Sequence, residues 1–125
     1  MHFAGGPSTP IPLVFGGHAA PALRRAARRG SGWFGPNIDL AGSLALTRRL
    51  DRLRAEAGRG DEPFDHYVRL VGEIGSDTVR RYEDAGYVHL VFSPFNRLPR
   101  TAPLADRLAA LDSAVEALGP AWCPA

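Results

Sequence analysis

Residues able to do chemistry are few and scattered along this chain. The four histidines are His2, His18, His66 and His89, and no two of them stand at helical ligand spacing. The single cysteine is Cys123. An intrachain disulfide and a thiolate cage for zinc are therefore excluded, and no metal site is expected. Gly-x-Ser-x-Gly and Walker motifs are absent. The most informative segment is Gly16-Gly17-His18-Ala19, which follows an apolar run and precedes a helical pattern. Glycines let a backbone come close to a ligand. A helix start adds unpaired N–H groups and the positive end of its dipole, a combination suited to phosphate. The same residues also make a plain tight turn. The hydroxyl that often supports a phosphate site is missing, because positions 18 to 20 read His-Ala-Ala. His18 is either a hydrogen-bond donor at that rim or a surface histidine.

Other candidates carry two readings each. Trp33 lines a pocket or fills the core. Glu73, at a strand end, is an acid or base or a solvated carboxylate. Arg24, Arg25, Arg28 and Arg29 form like-charged pairs four apart, which costs a helix a little stability. They make either a solvated outer face or a surface for an acidic partner. Cys123 has no base nearby and takes no catalytic role.

The elements that must hold these residues alternate in type. Ile11 to Phe15 reads as a buried strand. Pro21 fits a first helical turn, where its missing N–H has no partner. Ala22 to Arg29 then puts Leu23, Ala26 and Ala27 on one face, and Gly30 is expected as a left-handed stop. Gly32 to Phe34 is a very short strand. Leu40 to Ala57 is a long helix with Leu46, Leu50, Leu53 and Ala57 in its stripe and Arg48, Arg49, Arg52 and Arg54 mainly outside it. Phe64 to Val71 reads as a third strand. Ser76 caps a helix over Thr78 to Ala85, closed by Gly86. Tyr87 to Phe92 is a fourth strand. Thr101 caps a last helix with an apolar stripe of Leu104, Leu108, Leu111, Val115 and Leu118, ended by Gly119-Pro120. The carboxyl ends of the strands, where ligands collect in parallel α/β folds, are Gly16 to Ala19, Gly35-Pro36-Asn37, Gly72 to Ser76 and Ser93 to Arg97.

Four strand–helix units in a row predict an α/β chain with a parallel sheet. At 125 residues each unit takes about thirty, the unit size of a (β/α)8 TIM barrel of ~250 residues. The dimensions fit half a barrel or a self-contained four-stranded α/β sandwich. Residues 1–10 read as an N-terminal arm, 11–118 as the folded unit and 119–125 as a tail. Hydrophobic residues are 45% and charged residues 22%, a globular composition. Fifteen basic residues, all arginine, face thirteen acidic ones. That balance argues against nucleic acid or a membrane as partner. No apolar run is long enough to span a bilayer and no signal segment opens the chain, so a cytoplasmic setting is expected.

The run IPLVFGGHAAPALRRAARRGSGWF, positions 11 to 34, resembles a segment of the luciferase-like flavin- or deazaflavin-dependent oxidoreductases (monooxygenases among them). Members show a strand ending in Gly-Gly, a small polar residue, an Ala- and Arg-rich helix and an Asp-Gly-Trp turn. The run VRRYEDAGYVHLVF, positions 79 to 92, resembles the family's last helix and strand. The resemblance covers roughly residues 10 to 118 and falls on the second half of the family's (β/α)8 barrel. It implies hydride transfer between a cofactor ring and a small organic substrate. It also implies cofactor binding, coenzyme F420 ahead of FMN, on the phosphate-side turn Gly16, Gly17, His18 and Ala19. Two positions depart from the pattern. Ala19 stands where Ser or Thr is common, which removes a hydroxyl contact, and Ser31 stands where Asp is usual. A half barrel has two open sheet edges, so pairing with a second copy or a complementary N-terminal half is expected. No turnover is expected from this chain alone. A non-catalytic remnant and a small α/β interaction module using the arginine-rich helix are the alternatives.

Overall fold

The computed structural model describes residue 6 and residues 8–119. Most of the expected arm, with His2, and nearly all of the tail, with Cys123, fall outside them. The elements run β1 (Val14–Gly16), α1 (Ala20–Arg29), β2 (Gly32–Gly35), α2 (Leu40–Glu56), β3 (Asp65–Arg69), α3 (Ser76–Asp84), β4 (His89–Val91) and α4 (Leu104–Leu118). All neighbouring strands pair in parallel, and the sheet order is β1-β2-β3-β4. The described residues thus form an α/β fold with a four-stranded parallel sheet and four helices, as the alternation predicts.

Side-chain alternation divides the sheet into two unlike faces. Phe15, Trp33, Val68, Leu70, Leu90 and Phe92 join one core with Leu23, Ala26 and Ala27 of α1, Leu50 of α2, Val79 and Tyr82 of α3, and Leu118 of α4. Every helix therefore contributes to the same side. The other face has no helix over it among the described residues. It carries Val14, Phe34, Asp65, Tyr67, Arg69, His89 and Val91. A Cβ added to Gly32 would meet Val14 and the Tyr67 ring, which places those two side chains together there.

Several local expectations are corrected. Gly30 is not left-handed: its φ is −82°. It is glycine because an added Cβ would lie 2.6 Å from the Ala26 carbonyl oxygen. Gly86, in contrast, has φ +92° and closes α3 as expected. Ser76 is the first residue of α3, capped by Gly75 without a side-chain bond. Thr101 does not cap α4, because Pro103 holds that position and makes no side-chain bond. The first strand starts at Val14, and Ile11 and Leu13 before it are exposed.

Two helical stripes also differ from their apolar patterns. In α2 the buried residues are Ser43, Thr47, Leu50 and Arg54. Arg54 is 5% exposed, with its guanidinium carbon 4.3 Å from the Phe64 ring centroid and Nη2 donating to the Glu62 carbonyl. A delocalised, weakly hydrated cation stacks on an aromatic face in a way sequence periodicity does not register. In α4 only Ala114 and Leu118 are buried. Leu104 is 71% exposed and Leu108 52%. The regular stripe exists, but no element among the described residues covers most of it.

Candidate functional site

The Gly-Gly turn sits where the sequence places it, directly after β1 and before α1. Gly17 has φ +105°, a conformation that costs L side chains energy and glycine almost nothing. Its carbonyl accepts the Trp33 indole Nε1–H at 2.9 Å. Trp33 itself is fully buried against the helices. Of its two readings the structure gives the core one, with an added role: its polar edge clamps the turn. Gly16, His18 and Ala19 are exposed.

Helix α1 opens with no side-chain cap. Ala19 is the N-cap and Pro21 lies in the first turn. The first intrahelical donor is the Leu23 N–H, to the Ala19 carbonyl. The N–H groups of Ala20 and Ala22 ahead of it point out of the helix end, as the first turn of any α-helix requires. This geometry fits an anionic group held by backbone amides alone. The fit is weakened at one point, because Pro21 contributes no N–H.

At the carboxyl end of β3 stands Arg69, a residue the sequence reading did not single out. Its Nη1 donates to Asn37 Oδ1 at 3.2 Å and its Nη2 to Asn96 Oδ1 at 2.7 Å. Asn37 and Asn96 belong to the loops after β2 and β4, both marked in the sequence as strand ends. Asn37 has φ +52°, a left-handed conformation that asparagine tolerates better than most residues. Strand parity of Arg69 was the available signal. It puts the guanidinium on the face away from the helices.

The amino ends of β3 and β4 border a cleft of about 410 Å³, lined by Leu44, Thr47, Phe64, Asp65, His66 and Tyr87 among others. Here His89 Nε2 lies 3.5 Å from Asp65 Oδ1, and the His89 ring stacks on Tyr67 at 4.6 Å between centroids. His66 points to the helix side, 3.9 Å from Asp51 and edge-on to Phe64. Burial holds its pKa below the ordinary 6.5, against the pull of the Asp51 carboxylate. Tyr87 and Thr47 share a buried hydroxyl–hydroxyl bond of 3.2 Å. Burial pushes the Tyr87 phenol up, so it stays neutral at ordinary pH. The cleft lies at the end of the sheet opposite the Gly-Gly turn and Arg69. In parallel α/β folds ligands gather at the carboxyl ends, so the turn and Arg69 are the stronger site despite the size of this cleft.

No three His, Cys, Asp or Glu side chains among the described residues are placed to hold a metal ion. Glu73 is exposed, and its backbone carbonyl accepts the Thr78 hydroxyl. Arg24, Arg25, Arg28 and Arg29 are all exposed on α1. No described helix is long and apolar enough to cross a membrane.

Comparison with known proteins adds length and ancestry. The chain is 37% identical over 113 residues to uncharacterized proteins of Mycobacterium tuberculosis and of Mycobacterium bovis. The match covers 88% of this chain and 38% of each relative. The chain thus spans little more than a third of the length of the relatives it matches. No family model matches the chain, and neither does any solved structure.

Proposed function

We propose that this chain is the second half of a luciferase-like oxidoreductase barrel and supplies its cofactor phosphate-binding side. The observation that supports this most is the strand order. A parallel sheet running β1-β2-β3-β4, with every helix on one face, is singly wound. That is the local geometry of a closed (β/α)8 barrel, whereas a doubly wound sheet reverses its order and covers both faces. The bare second face then corresponds to a barrel interior. Relatives of which the match covers 38% have room for the remaining units.

In this reading the backbone amides at Gly16, Gly17, His18 and Ala19 hold the phosphate of coenzyme F420, with FMN as the alternative. Trp33 keeps the turn in shape through the Gly17 carbonyl. The cofactor ring, when bound, supplies hydride transfer to or from an organic substrate. This chain's residues bind and orient its anionic part. The exposed arginines of α1 suit the second reading, a module that binds an acidic partner through that helix.

The test is a titration of the full chain with coenzyme F420 and with FMN, read by amide chemical shifts. Shifts centred on Gly16, Gly17, His18 and Ala19, stronger with coenzyme F420, are expected. No turnover is expected with the reduced cofactor and the chain alone. Absence of binding by either cofactor, or shifts centred on the exposed face of α1, would overturn the proposal.

A further inference from the structure

The uncovered face of the sheet is not uniformly apolar, and its residues are ordered in rows. Strand register aligns Gly16, Phe34, Tyr67 and His89 across the sheet. Arg69 and Val91 form the next row toward the carboxyl ends. Rows on one face are about 7 Å apart, and the Phe34-to-His89 row extends about 10 Å. Tyr67 and His89 stack on each other. Phe34 is half-buried and takes no part in the helix-side core. Beside it, Gly16 has no side chain, and a Cβ there would meet nothing closer than 3.8 Å. The row therefore offers an aromatic surface with free space next to it.

Arg69 stands above that surface with its charge unmatched. A guanidinium carries five N–H donors and stays protonated. Two neutral amide oxygens engage one donor on each Nη. None of the ion pairs among the described residues involves Arg69. Asparagines from two different loops thus orient the cation without cancelling it, and one of them holds a left-handed backbone while doing so. A structural arginine of this kind is ordinarily met by a carboxylate. One held by neutral acceptors keeps its electrostatic attraction for an incoming anion.

We propose that the carboxyl-end half of the open sheet face binds a small planar organic anion, its carboxylate or phosphate gripped by Arg69 and its ring laid on Phe34 beside Gly16. The row spacing matches an acid group carried directly on a fused ring. The site borders the Gly-Gly turn at Gly16 but uses none of its amides, and the inference holds whether or not that turn takes a cofactor phosphate.

The experiment uses the full chain and three probes, 2-naphthoate, 2-naphthyl phosphate and neutral 2-naphthamide, followed by NMR of the Arg69 side-chain Nε–H and the Phe34 and Tyr67 rings. Both anions are expected to shift these signals and to bind at least tenfold tighter than the amide. Arg69→Gln is expected to bring the anions down to the affinity of the amide. The anion-to-amide comparison is made on the unaltered protein, so it stands even if the variant misfolds. Equal affinity for charged and neutral probes would overturn the proposal. So would shifts remote from Arg69, or a face that dilution shows to be covered by a second copy. Cofactor phosphate binding is read at the Gly17, His18 and Ala19 amides and probe binding at the Arg69 side chain, so the two ideas fail separately.

Discussion

Replacing Trp33 with phenylalanine tests whether one buried indole holds the Gly-Gly turn in place. The native ring is fully buried and donates its only N–H to the Gly17 carbonyl at 2.9 Å. Phenylalanine keeps the six-membered ring but removes the donor and part of the volume. Loss of a hydrogen bond of this kind costs about 1 kcal/mol. Gly17 is half-buried, so water can reach its carbonyl and the cost stays at that level. The missing part of the ring leaves a void, and a partial truncation of this size costs roughly 1–2 kcal/mol, well short of the 3–5 of Trp→Ala. The sum is about 2–3 kcal/mol. Urea unfolding followed by far-ultraviolet circular dichroism would then show the midpoint about 1–2 M lower at unchanged slope. Amide shifts should concentrate at Gly16, Gly17 and His18. A midpoint within about 0.3 M of the parent, or shifts that spare the turn, would refute the clamp. Leu50→Ala, equally buried but remote from the turn, serves as the comparison: it should destabilise without moving those amides.

Two further outcomes follow from the burial pattern. His66 is held below its ordinary pKa of 6.5, chiefly by burial, while Asp51 and Asp65 pull it up and Arg54 and His89 push it down. Its unfolded state therefore takes up a proton first, so its stabilising contribution is complete above pH 6.5 and lost as pH falls from there through the folded pKa. Unfolding curves collected across that window should slope downward toward acid in the parent and flatten in His66→Phe; parallel curves would exclude His66 as the source. The exposed stripe of α4 and the two open sheet edges predict concentration-dependent self-association. Size exclusion with light scattering should show it, and Leu104→Glu with Leu108→Glu should weaken it at a stability cost within about 0.5 kcal/mol each. A parent chain that remains a stable monomer at micromolar concentration would contradict this.

How much of this protein is legible in sequence depends on whether a feature is local. Element types and order were legible because turn residues and period are local: Gly86 stops α3 through its own φ, and Gly17 follows β1 in a conformation only glycine takes cheaply. The glycine at position 30 was found for the wrong reason. Its constraint is the Ala26 carbonyl one turn back and not its own dihedral angle. Arg54 was placed outside the core because charge outranks periodicity in a sequence pattern, yet Phe64 from a later loop offers it a ring.

The amino-acid order alone determined four strand–helix units and the glycine turn ahead of α1, since both depend on neighbours within a few residues. Only the tertiary structure decided that the strands line up as β1-β2-β3-β4, that all helices share one face, and that Arg69 meets Asn37 and Asn96. The Arg69 contacts join residues 32 and 27 positions apart in the chain. Contacts at such separations are set by strand register and crossover direction, which no short window of sequence encodes.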